Sequence, residues 1–197
     1  AVGTDMSVGK MSACLELHAA AEAAGLEASF VATGQAGILI AGGGVALDAV
    51  RVDYAAGAVE QAVLDAAPQG PDGLVLVEGQ GSFCHPGSTA TLPLLRGSQP
   101  TDLLLVHRAG QTAIRHHPHI PLPPLPALIG TIEAVAALGR PQGLAAARVR
   151  AIALNTGHLQ AGAAMEAMAA TAAETGLPCF DPVRDGAEPL WAALLAC

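Results

Sequence analysis

The chain has 197 residues, of which 52% are hydrophobic, 3% aromatic and 13% charged, and it carries a formal net charge of -8. That length buries a substantial core without disulfides or a structural metal, which argues against disorder. The acidic balance leaves no basic stripe for a nucleic-acid backbone, and no polybasic membrane anchor is present.

The nine basic residues divide into eight arginines and a single lysine, Lys10. The longest stretch without charge, Ala28 to Leu47, is broken by Gly34, Gln35, Gly37, Gly42, Gly43 and Gly44, so it lacks the apolar continuity of a membrane helix. Cys14, Cys84, Cys179 and Cys197 are scattered with no C-x-x-C pair, which suggests neither a zinc site nor a disulfide framework. A soluble protein of a reducing, cytosolic compartment is expected.

Apolar runs and turn residues predict strands and helices in alternation. Ala1-Val2 reads as the stump of a strand, Lys10 to Ala24 as a helix, and Glu27 to Thr33 as a strand, followed by a glycine-rich segment to Gly44. Asp53 to Ala66 reads as a helix with Asp53 as N-cap. Asp72 to Val77 is a strand bounded by Gly70-Pro71 and Gly79, and Asp102 to His107 is another. A proline-laden loop, His117-Pro118 to Pro126, leads to a helix over Ala127 to Leu138. Val149 to Leu154 reads as a strand, Leu159 to Thr175 as a helix, Leu177 to Phe180 as a short strand and Pro189 to Leu195 as a closing helix.

Strands apolar throughout and separated by helices imply a mainly parallel sheet covered on both faces, a doubly wound α/β domain. Ligands in such sheets bind beyond the carboxyl ends of the strands, so the loops after Val2, Thr33, Val77, His107 and Leu154 are expected to share one site. A strand of two residues is short against the usual five or six. We therefore read residues 1–197 as one domain taken from within a longer polypeptide.

Gly3-Thr4-Asp5-Met6-Ser7-Val8-Gly9-Lys10-Met11-Ser12 stands between strand and helix, where a Walker-type loop wraps a phosphate with its backbone N–H groups. Gly3 permits the turn, Gly9 lets the backbone approach an oxyanion, and Lys10 brings a mobile positive charge to the phosphates. Gly3 is one residue further from Gly9 than the usual spacing. Met11 occupies the position where Ser or Thr normally ligates magnesium, and Ser12 is one step beyond it.

This spacing resembles the loop of dethiobiotin synthetase and its relatives in the SIMIBI group of P-loop proteins. Val77-Glu78-Gly79-Gln80-Gly81 resembles the Val-Glu-Gly-Ala-Gly of those proteins, whose glutamate meets magnesium. The resemblance implies a P-loop NTPase-like fold, with Glu78 and Asp53 as magnesium carboxylates. It also implies that Asn155, in Ala153-Leu154-Asn155-Thr156-Gly157, reads adenine, although an asparagine there also suits a turn. A guanine-binding protein needs Asn-Lys-x-Asp and a partitioning ATPase needs a second lysine in its loop. Lys10 is already used, so both classes are excluded.

A longer pattern is similar to the C-terminal P-loop domain of the D-glutamate N-acetyltransferase (DgcN-type) family. It runs through Phe30-Val31-Ala32-Thr33-Gly34-Gln35, Asp53-Tyr54-Ala55-Ala56-Gly57, Val77 to Ser82 with His85-Pro86, Gly97-Ser98-Gln99-Pro100, Ala153 to Thr156 and Asp181-Pro182-Val183-Arg184. Members normally carry a further N-terminal α/β domain. The resemblance implies transfer of an acyl group from acetyl-CoA to the amine of a small amino acid such as D-glutamate, in a homo-oligomer. The loop then holds either ATP or the phosphates of coenzyme A.

Either chemistry needs a base for the amine and stabilisation of an oxyanion. Among the histidines, His85 stands nearest Glu78 in sequence and is the candidate base, with Cys84 as a candidate nucleophile beside it. Thr33, Gln35 and Gln99, read as strand-end residues, are candidates to orient the amino acid, with Arg96, Arg108 and Arg115 as charged alternatives. His116, His117 and His119 form a possible metal cluster. Cys14 and His18, four apart on a helix, are read as core packing. Two readings compete with acyl transfer: an ATP- and magnesium-dependent amide ligase of the dethiobiotin synthetase type, and a non-catalytic nucleotide sensor.

Overall fold

The structure, a computed structural model, describes residues 1–70 and 73–195. The expected start of a strand at Asp72, its boundary Pro71, and Cys197 lie outside the described residues. The domain is α/β: parallel strands β1 (Val2–Gly3), β4 (Asp102–Arg108), β7 (Arg148–Asn155) and β8 (Cys179–Phe180) are hydrogen-bonded in the order β1-β4-β7-β8. A second parallel pair joins β2 (Ala28–Val31) to β3 (Leu74–Val77). The Ala1 amino nitrogen donates to the Val77 carbonyl at 2.9 Å, which sets the end of β3 beside β1.

The central strands are apolar on both faces because helices cover both. On one face Leu103, Leu105, Ile152 and Leu154 pack with Leu125, Leu128 and Ile132 of α5 (Leu125–Ala136). On the other, Leu104, Val106, Ala151 and Ala153 pack with Ala13 and Leu17 of α1 (Lys10–Ala23) and with Leu190 and Trp191 of α8 (Glu188–Leu195). Successive residues of β4 thus serve opposite cores, as strand geometry requires. No helix among the described residues is long and apolar enough to cross a membrane.

Several segments differ from expectation. The glycine-rich stretch contains a helix, α2 (Gln35–Ala41), capped by Gly34 and closed by Gly42 in the left-handed region at φ 76°. Asp53 is not an N-cap: α3 (Val52–Asp65) is preceded by Arg51, and Asp53 is an exposed residue of its first turn. A helix not read from the sequence, α4 (Thr91–Ser98), precedes β4. The first part of the proline-laden loop is instead a strand, β6 (His117–Pro121), paired antiparallel with β5 (Ala113–Ile114) just before it, and this two-stranded edge tolerates prolines that donate no N–H. The α5 helix starts before Pro126, which is accepted in a first turn. Past α6 (Ala161–Thr175), a short helix α7 (Pro182–Asp185) follows β8.

The α3 and α4 helices share a small core of Leu47, Ala55, Val59 and Leu94. They approach so closely at Gly97 that a Cβ there would strike the Ala56 carbonyl and lie 2.7 Å from Val59 Cβ. Gly97→Ala is therefore expected to lower stability by about 1–3 kcal/mol in urea unfolding. Gly130→Ala, which meets open space on α5, is expected to raise stability by up to about 1 kcal/mol, and equal midpoints for the two variants would contradict the packing described.

Candidate functional site

The turn between β1 and α1 is built for an anion. Ser7 and Gly9 take positive φ values of 55° and 112°, and Gly9 caps α1 without a side chain. The first N–H groups of α1 thus have no partner within the helix and face outward beside Lys10. Lys10 is 8% exposed, and its Nζ donates to the Asp5 carbonyl at 2.9 Å. A Cβ on Gly3 would lie 2.9 Å from Lys10 Nζ and one on Gly79 2.6 Å from Lys10 Cδ, so both glycines make room for the lysine. Met6, Ser7, Gly9, Lys10, Met11, Ser12 and Glu78 to Gly81 enclose a cradle of about 360 Å³.

Burial lowers the Lys10 ammonium from its ordinary 10.5 to about 8, with Asp5 and Glu78 pulling in the opposite direction. Under the loop, His107 on β4 shares a 2.9 Å hydrogen bond with Thr4 Oγ1, and burial lowers it from 6.5 to about 4. The native state then binds fewer protons than the unfolded chain between those values. Stability is thus full above pH 6.5 and falls as pH drops towards 4, by about 3 kcal/mol. Urea midpoints across this range are expected to fall more steeply for the natural protein than for His107→Gln, and parallel falls would refute the assignment.

The strand-end loops meet as expected, though not always through the expected contacts. Glu78, 5% exposed, accepts the N–H groups of Thr33 and Gly34 on Oε2 at 2.8 and 3.1 Å, and Thr33 Oγ1 donates to its carbonyl. Glu78 thereby clasps the start of α2 while also lining the cradle. Gln35 points instead to Asp48. Asn155 Nδ2 donates to the Val8 carbonyl at 3.0 Å, and its Oδ1 accepts from Gly157, so it ties the late strand to the phosphate loop.

Beyond Asn155 lies a second, mainly apolar pocket of about 400 Å³, lined by Val8, Ser12, Val106, Leu154, Pro182 and Arg184 among others. It shares Gly9 and Ser12 with the cradle. Its outer wall is held by Asp181, 3% exposed, which accepts from Thr156 N at 2.8 Å and from Thr156 Oγ1 on one oxygen and from Val183 N and Arg184 N on the other. Arg184 in turn donates to the carbonyls of Thr156 and Leu159. The two cavities are thus contiguous, one beside Lys10 and the other beside Asn155 and Pro182.

A third feature adjoins the loop. Ser82 Oγ donates to the Thr4 carbonyl at 2.9 Å and accepts from Cys84 N, which brings His85 alongside. Asp5 Oδ2 accepts from Gln111 Nε2 at 2.6 Å and from Arg115 N at 2.7 Å, which docks the β5–β6 hairpin on the same turn. The result is a row of imidazoles. His85 and His117 have ring centroids 5.5 Å apart, and His117 and His119 5.9 Å apart, each pair edge to face.

A family model described as the DUF1611 C-terminal P-loop domain, a domain of unknown function, matches residues 1–191. The chain belongs to the DUF1611 family. It is 38% identical over 194 residues to a D-glutamate N-acetyltransferase from Pseudoalteromonas, covering 98% of this chain and 56% of that protein. It is 39% identical to a D-glutamate N-acetyltransferase from Tritonibacter scottomollicae, covering 100% of this chain and 57% of the relative. The crystal structure of a DUF1611 family protein from Anabaena variabilis superimposes with a TM-score of 0.94 at 57% identity, over all of this chain and 56% of the other. The chain thus spans about half the length of these relatives.

In this DUF1611 domain some expected participants lie elsewhere. Gln99 ends α4 just before β4, hence at the amino ends of the strands and opposite the phosphate loop, where it lines a separate groove. Asp53 is exposed in the first turn of α3, and no cluster of three His, Cys, Asp or Glu among the described residues could hold a metal, the imidazole row included. Of the residues lining the cradle, Glu78 carries the one carboxylate suited to magnesium, while the Met11 thioether is no hard ligand. Burial, with Asp5 nearby, raises the Cys84 thiol, which disfavours a thiolate nucleophile. Cys14 is buried in the core and its thiol is likewise raised, as a packing residue. Arg96 is exposed on α4, and Arg115 contributes its backbone rather than its guanidinium to Asp5. Gln111 and Thr156 carry no local sequence signal that marks them as site residues. Both act through contacts more than twenty residues distant, at Asp5 and Asp181.

Proposed function

We propose that this domain binds acetyl-CoA through its adenosine and phosphate groups and forms part of an enzyme that acetylates the amine of a small amino acid, D-glutamate being the first candidate. The observation that carries the reading is the shared wall of cradle and base pocket at Gly9 and Ser12, with His85 and His117 anchored to the same turn. The names of the two relatives supply the reaction class. Lys10 and the α1 N-terminus would meet the pyrophosphate, Asn155 and the 181–184 wall the adenine, and the histidine loop the thioester end.

Thr33, expected from the sequence to orient the amino acid, is fully buried and spends its hydroxyl on the Glu78 carbonyl, so in this reading it positions Glu78 and does not meet the substrate. A magnesium ion, if carried in with a nucleotide, would meet the Glu78 carboxylate, and acetyl transfer needs no step through it. The deciding test incubates the full-length natural protein with D- and L-amino acids and acetyl-CoA, with and without Mg-ATP, and follows N-acetyl product by mass spectrometry. Product without ATP is expected. Product only with Mg-ATP would replace the reading with the ligase, and binding without any turnover would replace it with the sensor.

A further inference from the structure

We propose that the proton acceptor of this site is His117 on β6, and that His85 is instead a hydrogen-bond donor to the thioester carbonyl; this rests on the acyl-transfer reading above. The decisive contact is at His85 Nδ1, which accepts the backbone N–H of Gly87 at 3.1 Å. A backbone amide always donates, so the neutral imidazole keeps its own proton on Nε2. In that tautomer the outward nitrogen of His85 has no lone pair to receive a proton from an amine. It is suited to donate to an oxygen that gains negative charge.

His117 stands next in the row, half-buried, with its ring edge to face against His85 at 77° and against His119 at 83°. No described residue hydrogen-bonds its ring nitrogens. Both histidines are fixed to one turn of the phosphate loop, His85 through Ser82 on the Thr4 carbonyl and His117 through Gln111 and Arg115 N on the Asp5 carboxylate. A thioester whose phosphates lie in the cradle and an amine arriving at the hairpin would thus meet a donor and an acceptor side by side.

The substrate ammonium loses one proton to solvent, and the amine nitrogen bonds to the thioester carbon as the carbonyl oxygen becomes an oxyanion held by His85 Nε2–H. His117 takes a second proton from that nitrogen. The C–S bond then breaks, the carbonyl re-forms, and the imidazolium of His117 protonates the departing thiolate, giving the N-acetyl amino acid and coenzyme A.

The test uses the full-length natural protein and four variants, His117→Gln, His117→Ala, His85→Gln and His85→Ala, each checked for unchanged coenzyme A affinity. Both His117 variants are expected to lose about 10²–10⁴-fold in kcat, and added imidazole to restore part of the His117→Ala activity. His85→Gln keeps an N–H donor and is expected to stay within about tenfold of the natural rate, whereas His85→Ala falls about 10²–10³-fold without imidazole rescue. Activity of His117→Gln within about threefold of natural, or imidazole rescue of His85→Ala in place of His117→Ala, would overturn the assignment while leaving acyl transfer intact. Absence of N-acetyl product from the natural protein itself would overturn the acyl-transfer reading and the assignment together.

Discussion

Lys10→Met is expected to abolish binding of coenzyme A and adenine nucleotides in calorimetry while making the folded protein more stable. The ammonium is 8% exposed and hydrogen-bonded, among the described residues, to the Asp5 carbonyl alone, and burial outweighs the Asp5 and Glu78 charges to lower it from 10.5 to about 8. Below pH 8 both folded and unfolded chains carry the proton, so the full desolvation cost weighs on the native state. Between 8 and 10.5 the unfolded chain binds more protons, and stability rises with pH. A methionine of similar length removes the buried charge and should gain up to about 3 kcal/mol at neutral pH, an advantage that shrinks to nothing above pH 10.5. Phosphate affinity of the natural protein should likewise weaken as pH climbs through 8, because the ligand requires the charged form. A less stable Lys10→Met, or one that still binds, would show that the lysine supports the fold and not the ligand.

Asp181→Ala is expected to be the most destabilising polar substitution at the site. Its carboxylate satisfies Thr156 N, Thr156 Oγ1, Val183 N and Arg184 N from a position 3% exposed. Truncation leaves buried donors without partners and removes the N-cap of α7, a loss of about 3–5 kcal/mol in urea unfolding. The wall over the base pocket loosens with it. Affinity for adenosine-bearing ligands should fall by roughly tenfold or more, while inorganic pyrophosphate, which meets only the cradle, should bind within about threefold of before. Asp181→Asn keeps one acceptor oxygen and should show smaller losses of both kinds. Equal losses for pyrophosphate and coenzyme A would mean that cradle and pocket are not separate.

The parts legible in the sequence were those whose signal is local. Leu103 to Val106 read as a buried parallel strand because both faces are covered, and the structure assigns alternate residues to the two cores. Gly3 to Ser12 read as a phosphate loop because glycine, lysine and the strand-to-helix context lie within a dozen residues. The α2 helix was hidden because Gly34, Gly37 and Gly42 look like loop residues. Its start depends on the Glu78 carboxylate more than forty residues away. Gln99 was misplaced because a residue beside a strand does not declare which end it flanks. The intervening α4 puts it at the amino end of β4. The pairing of His85 with His117, and of Thr156 with Asp181, is tertiary and has no local trace.

The most direct test is a crystal structure of the full-length natural protein with coenzyme A. The adenine is expected in the pocket beside Asn155 and Pro182, the pyrophosphate on the N–H groups of residues 7–12 with Lys10 turned from the Asp5 carbonyl towards it, and the thiol at the His85–His117 row. Coenzyme A bound with its pyrophosphate away from Lys10, or its thiol at the opposite sheet edge near Gln99, would contradict it.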